Sequence, residues 1–137
     1  MFLKLLYSMQ KYSTMPVAID GKVYTALVAD SFIKRAIGLM FRKSIDANTC
    51  MLFVSRRDGK ESLTMHNMLF PIDVLWLSCD LKIVDMAEGL APDKGFSFKT
   101  YSPKGVARYV LEFESGFLKT NGINKNSEIE IKEIREK

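Results

Sequence analysis

Apolar residues recur along the chain in short runs, most of them six to eight residues long, and turn residues separate these runs. Within several runs apolar and polar residues alternate, which places them on opposite faces of a β-strand. Two Asp-Gly pairs, Asp20-Gly21 and Asp58-Gly59, predict hairpin turns between neighbouring runs. We therefore expect eight strands, over residues 15–20, 22–29, 50–55, 61–66, 72–77, 81–88, 106–113 and 128–134.

Two segments have the character of a short helix. Apolar residues fall on one helical face between Ser31, which can cap a helix, and Gly38, which can end one. Residues 115–121 form a second candidate, closed by Gly122. Because strands dominate and turn signals are closely spaced, we predict an all-β fold, a compact antiparallel sandwich or barrel (jelly-roll-like) with one or two short helices.

The length and composition are those of one globular domain. Of the 137 residues, 47% are apolar and 26% are charged, close to the average of soluble proteins. Because Met15 begins the first clear strand, we predict a loosely ordered extension over residues 1–14 and a single β-rich domain over residues 15–137. No apolar stretch approaches the roughly 20 residues needed to span a bilayer, so we expect a soluble protein with no membrane partner.

The chain is mildly basic, with a net charge of +4. No run of Lys and Arg exceeds two residues, whereas a dedicated nucleic-acid binder usually concentrates its charge on one stripe. We therefore do not expect a nucleic-acid partner, with one alternative kept open. The segment from Lys94 to Tyr101 places aromatic residues among lysines, which is a composition suited to weak binding of single-stranded RNA.

The cysteine and histidine content excludes several kinds of site. Cys50 and Cys79 are too few for a disulfide scaffold, and their apolar surroundings indicate buried free thiols. Because His66 is the only histidine, a three-histidine zinc site and a two-histidine iron site are impossible. We expect no metal, no cofactor, a cytoplasmic location and, by default, a monomer.

Two carboxylates, Asp73 and Glu112, stand within strands that are otherwise apolar. A buried carboxylate costs several kcal/mol unless it is paired or hydrogen-bonded, so each one implies a partner. The Asn67 amide, the Arg42 guanidinium or backbone donors at the Pro71 turn could be that partner. Such carboxylates either hold loops in place or form the polar floor of a ligand pocket. The candidate ligand-binding residues are Arg42, His66, Asn67, Asp73 and Glu112.

A hydrolase-like site is the enzymatic alternative. Ser62, Thr64 and His66 share one face of a strand because side chains alternate along it. His66 would then act as the base and Asp73 would orient it. Small polar residues on one face are equally typical of a solvent-facing strand, so we assign no catalytic residue. The leading hypothesis is a non-catalytic module that binds a small molecule or a partner protein.

Five short motifs occur in order along the chain: Gly38-Leu39-Met40-Phe41-Arg42, Met51-Leu52-Phe53, Met65-x-Asn67, Pro71-Ile72-Asp73 and Tyr109-Val110-Leu111-Glu112. Together they resemble the uncharacterised family called domain of unknown function 192, or uncharacterised protein family 0127, over about residues 16–134. Cys50 replaces a glycine of the family pattern, and Thr64, His66 and Met68 replace its Trp, Lys and Thr. The resemblance implies a compact jelly-roll-like β-sandwich with minor helices, and no established biochemical activity.

Overall fold

The computed structural model describes residues 2–95 and 99–135, and these form nine strands and four short helices. The helices are α1 (Phe2–Met9), α2 (Phe32–Ile37), α3 (Phe117–Thr120) and α4 (Lys132–Arg135). The strands are β1 (Thr14–Ile19), β2 (Lys22–Ala29), β3 (Thr49–Gly59), β4 (Leu63–Thr64), β5 (Ile72–Leu77), β6 (Ile83–Leu90), β7 (Thr100–Tyr101), β8 (Ala107–Glu114) and β9 (Ile129–Glu130).

Seven strands form one curled sheet in the order β6-β5-β8-β3-β2-β1-β9, and β4 pairs with β7 separately. All neighbours in the large sheet are antiparallel except β2 and β3, which run parallel. The segment containing α2 connects the end of β2 to the start of β3, and a parallel pair needs such a crossover. The predicted all-β, barrel-like fold with a few short helices is confirmed.

The sheet curls around one of two apolar cores, which we call the inner core. Leu75 and Leu77 of β5 and Phe113 of β8 belong to it. Ile83 of β6 and Ile129 of β9 pack against the same core although these strands are the two edges of the sheet. Burial of both edges against one cluster brings them towards each other, which gives the sheet its barrel-like form.

The outer face of the sheet carries a second apolar cluster, the outer core. Val74 and Trp76 of β5 contribute to it because side chains alternate along a strand. Leu39, Met65 and Met68 cover it from the loops outside the sheet. All six residues of β5 are therefore buried, three on each face, and a polar group on this strand has no access to water.

Local signals in the sequence determine two of the predicted features. Asp20 and Gly21 have φ angles of 50° and 83°, as a tight hairpin turn requires, and they join β1 to β2. The Ser31 Oγ accepts a hydrogen bond from the Lys34 amide at 3.2 Å and caps α2. Gly38, with φ 51°, ends this helix. Both predictions are confirmed.

The predicted hairpin at Asp58-Gly59 is wrong. Strand β3 continues to Gly59, which pairs with Ala107 of β8 after a bulge. Neither Asp58 nor Gly59 has the positive φ of a tight hairpin turn, and Asp58 forms a salt bridge with Arg108 of β8 at 2.8 Å. Pairing with a distant strand and this ion pair override the local turn signal.

Three further expectations need correction or stay open. The predicted strand over residues 128–134 is only β9, followed by α4, and Cys79 is exposed rather than buried. Residues 2–9 form α1, which has no buried residue, and the division into a loose extension and one domain stays a prediction. Among the described residues, no helix is long and apolar enough to cross a membrane.

The two Asp-Gly pairs give a direct test of this topology. Gly21→Ala should lower the free energy of unfolding by about 1 kcal/mol, because an alanine is strained at φ 83°. Gly59→Ala should change it by less than about 0.5 kcal/mol, because the added Cβ meets only the Glu61 Oε1 at 3.7 Å. Chemical denaturation measures both values, and equal losses would argue for a turn at Gly59.

Candidate functional site

The Asp73 carboxylate is fully buried and accepts three backbone hydrogen bonds on the inner face of the sheet. Its Oδ1 accepts from the Gly89 amide at 2.8 Å. Its Oδ2 accepts from the amides of Gly116 at 3.1 Å and Leu118 at 3.0 Å. The carboxylate thus joins β5 to the end of β6 and to the start of α3. Both oxygens are used inside the fold, so this side chain acts as a structural anchor.

Glu112 lies on the opposite face of the sheet. In register it stands between Met51 of β3 and Val74 of β5, which are both members of the outer core. Only 6% of the residue is exposed. Burial raises the pKa of its carboxyl to about 8, and no charge or hydrogen bond from the described residues offsets this. At neutral pH the group is therefore mainly protonated, and it has no partner in the fold described.

A pocket of about 250 Å³ opens beside Glu112. Helix α2 and the residues 38–40 that follow it form one wall, and Phe53 with residues 61–64 forms another. Met68 and Val110 complete the apolar lining. Two charged residues line the pocket from different segments, Arg35 on α2 and Glu61 in the loop between β3 and β4. We call this cavity the Glu112 pocket.

Gly38 allows the wall of the pocket to form. Its φ of 51° lies in the region that favours glycine. A Cβ atom at this position would stand 2.9 Å from the Phe53 Cζ, closer than real Cβ contacts. The glycine therefore lets the chain leave α2 sharply and pass directly over the Phe53 ring.

Asn67 holds the loop that follows Gly38. The residue has φ 60°, and its carbonyl accepts a hydrogen bond from the Phe41 amide at 3.0 Å. Its side-chain amide donates to the Met40 Sδ at 3.9 Å. Because Met40 lines the Glu112 pocket, Asn67 supports the pocket wall from behind.

Arg42 and His66 lie outside the Glu112 pocket. The Arg42 guanidinium stands over the rings of Tyr7 and Tyr12, 5.7 and 5.5 Å from their centroids. His66 forms an isolated bridge with Asp93, and it lines a separate, more open surface pocket. Asn67 lines the same surface pocket as His66. The five candidate residues are thus spread over four places, and their role in ligand binding stays a prediction.

The structure does not bring the residues of the alternative functions together. Asp73 gives both oxygens to backbone donors on the inner face, so it does not orient His66. The centre of the proposed RNA-binding segment, residues 96–98, lies outside the described residues. Within the described ranges, no group of three or more His, Cys, Asp and Glu residues is arranged to hold a metal ion.

Of the five candidate residues, only Glu112 lines the pocket. The charged lining residues Arg35 and Glu61 were not predicted, because they lie far apart in sequence and no local pattern connects them. Thr64 was considered for a site only in the hydrolase alternative, and Gly38 and Phe53 belong to family motifs without being candidate site residues.

The sequence profile of domain of unknown function 192, described as "Uncharacterized ACR, COG1430", matches residues 15–131. The chain belongs to this family. A relative from Pyrococcus horikoshii in uncharacterised protein family 0127 is 37% identical over 91 residues, which cover 65% of this chain and 71% of the relative. Another from Pyrococcus abyssi is 33% identical over 113 residues, covering 81% and 86%.

Two solved structures share the fold of this family member, each with a TM-score of 0.81. One is from Sinorhizobium meliloti 1021, provisionally described as a transcription regulator. It is 24% identical and matches over 89% of this chain and 96% of its own. The other, from Novosphingobium aromaticivorans, is a protein of unknown function that is 22% identical, with 89% and 88% covered. At these identities the likeness concerns the fold alone, and the family is uncharacterised.

Four of the five family motifs lie at or behind the wall of the Glu112 pocket. Gly38, Phe53 and Glu112 come from three of the five motifs, and all three line the Glu112 pocket. Asn67 comes from a fourth motif and supports Met40 in the pocket wall. Asp73, from the remaining motif, anchors the opposite face of the sheet.

Removal of the Asp73 carboxylate should destabilise the fold strongly. Asp73→Ala removes the acceptor of the buried Leu118 amide and of the partly buried bonds from the Gly89 and Gly116 amides, and we expect a loss of about 3 kcal/mol in the free energy of unfolding. Asp46→Ala is the matched control because Asp46 is an exposed aspartate, and it should change little. Denaturant titration of both variants measures the difference, and comparable losses would contradict the anchor role.

The buried Glu112 carboxyl predicts a specific pH dependence of stability. Its folded-state pKa of about 8 lies above the ordinary 4.5, so the native protein keeps a proton that the unfolded chain releases within this window. The stability that the raised pKa gives is complete below pH 4.5 and is lost as the pH rises through 8. Relative to Glu112→Gln, which does not titrate, the wild type should lose up to about 5 kcal/mol across this range. A pH-independent difference between the two unfolding curves would show that Glu112 is not desolvated.

Proposed function

We propose that the protein is a non-catalytic module that binds a small molecule in the Glu112 pocket. The observation that carries the proposal is the carboxyl of Glu112, a residue that is 6% exposed, which borders an open cavity and has no hydrogen-bond or charge partner among the described residues. A ligand that hydrogen-bonds to this carboxyl would supply the partner that the described fold does not.

The dimensions of the pocket limit the ligand. Pockets for drug-sized molecules have volumes of roughly 300–1,000 Å³, and the Glu112 pocket, with about 250 Å³, is smaller. Ile37, Leu39, Phe53 and Met68 supply apolar walls. These features support a small, largely apolar molecule of metabolite size.

The polar groups of the pocket indicate the chemistry of the ligand's polar end. A protonated Glu112 donates a hydrogen bond at neutral pH. Arg35 uses one guanidinium nitrogen to donate to the Val54 carbonyl at 3.1 Å, and its other donors remain available to the pocket. Both groups favour a ligand oxygen that accepts hydrogen bonds, such as a carbonyl.

The free thiols support, as part of this proposal, a reducing compartment such as the cytoplasm. Cys50 is buried and Cys79 is exposed, and neither forms a disulfide. Asn67 and Asp73 take part indirectly in this proposal, by holding the loop and the sheet that carry the pocket.

A variant that blocks the pocket mouth tests the proposal. Ala36 lines the pocket but is exposed on α2, so Ala36→Trp should fill the mouth with little loss of stability. Acetanilide and benzamide serve as probes because both combine an aromatic ring with a carbonyl acceptor. Binding is measured from the amide chemical shifts of Gly38, Phe53 and Glu112. The wild type should bind at least one probe, and Ala36→Trp should bind it at least ten-fold more weakly.

Phe32→Trp is the matched control, because it adds an indole to the same helix at an exposed position outside the pocket. It should bind the probes as the wild type does. Toluene, which lacks an acceptor, should bind more weakly than either amide. If neither amide shifts the pocket resonances, or if both tryptophan variants bind equally, the pocket is not the site of this function.

A further inference from the structure

Helix α1 turns an apolar stripe outwards. Phe2, Leu5 and Met9 follow the spacing i, i+3, i+7, which places them on one face of a helix. Their exposed fractions are 71%, 58% and 66%. Phe32, 79% exposed on the neighbouring α2, adds to the apolar surface in this part of the molecule. Contiguous exposed apolar area of this kind is unusual in water and indicates an interaction surface.

Contacts on the other side of the helix fix which face points outwards. The Tyr7 ring lies 6.0 Å from the ring of Phe41, and the Arg42 guanidinium stands 5.7 Å from the Tyr7 centroid. Tyr7 is half-buried by these contacts, whereas Phe2, Leu5 and Met9 are not covered. The helix is therefore docked through its tyrosine, and its apolar stripe is available.

All charged residues in the chain segments that carry and adjoin the stripe are basic. Residues 2–19 and 31–45 contain no Asp or Glu, while they carry six cations, namely Lys4, Lys11, Lys34, Arg35, Arg42 and Lys43. Lys34 is close to the segment after α1, since its Nζ stands 5.7 Å from the Tyr12 ring centroid. The nearest acids in sequence, Asp20, Asp30 and Asp46, flank these segments without entering them. The chain segments that carry and adjoin the apolar stripe are thus basic.

We propose that α1, together with the adjoining part of α2, docks the protein on the surface of an anionic lipid bilayer. An apolar stripe beside lysines is the arrangement by which a short helix lies in the headgroup region, with its apolar side chains reaching the acyl chains. Each Lys or Arg near a negatively charged leaflet adds to the attraction. A surface helix does not span the membrane, so the lack of a spanning helix in the described residues is compatible with this contact.

Charge complementarity favours an anionic bilayer over a second copy of the chain as the partner of this surface. Two copies meeting at this surface would bring their uncompensated cations together, and that repulsion opposes association. Phe32 and Ala36 both lie on α2, so the docking surface adjoins the mouth of the Glu112 pocket. The docking contacts come mainly from α1 and the cations around it, so the proposal does not depend on the proposed ligand.

Vesicle flotation tests the proposal with the full chain. The probes are vesicles of phosphatidylcholine alone and of equal parts phosphatidylcholine and phosphatidylglycerol. The wild type should float with the anionic vesicles and not with the neutral ones, and added salt should release it. A triple variant, Lys4→Gln with Lys11→Gln and Lys43→Gln, should lower partitioning about 100-fold. A second triple variant, Phe2→Ser with Leu5→Ser and Met9→Ser, should lower it at least about 10-fold.

The matched control removes the same charge elsewhere. Lys119, Lys125 and Lys132 are exposed residues of the C-terminal part of the chain, and their replacement by Gln should reduce partitioning far less than the first triple variant. Equal effects of the two lysine variants would overturn the proposal, because general charge would then explain binding. Binding to neutral vesicles, no binding at all, or a dimer in solution that the serine variant abolishes would overturn it as well.

Discussion

Strands β5 and β8 are covered by apolar residues on both faces. A polar side chain on these strands therefore needs a hydrogen-bond partner inside the fold, and this is the condition that it has to meet. Asp73 and Glu112 are the buried acidic residues of the described chain, and they lie on opposite faces of these neighbouring strands. Asp73 meets the condition through three backbone donors. Glu112 does not meet it within the fold, so it is protonated and faces a cavity.

The anchor at Asp73 positions more than its own strand. Because its oxygens bind amides from the end of β6 and the start of α3, one side chain fixes an edge strand and a helix against the centre of the sheet. Helix α3 in turn places the Phe117 ring on the Phe113 ring, at 4.1 Å between centroids, within the inner core. The inner face is thus held together by Asp73 and its core, whereas the pocket with the buried Glu112 carboxyl lies on the outer face.

The sequence predicted those features that short stretches of chain determine. The turn at Asp20-Gly21 and the cap at Ser31 depend on residues next to each other. Asp58-Gly59 carries the same dipeptide, yet its partner is Ala107, far away in sequence, and pairing within the sheet decides its conformation. The partners of Asp73 were not predictable either, because they are backbone amides, which every residue except proline carries and which leave no mark in a sequence pattern. The motifs identified the family, but only the fold shows that Gly38, Phe53 and Glu112 surround one cavity.

The proposed role of the pocket depends on a Glu112 carboxyl that is desolvated and has no partner among the described residues. The most direct measurement is the carbon chemical shift of the Glu112 side-chain carboxyl, followed by NMR from acid to alkaline pH. We expect a titration midpoint near pH 8. A midpoint near the ordinary 4.5 would contradict it, because such a carboxyl would be ionised and solvated at neutral pH.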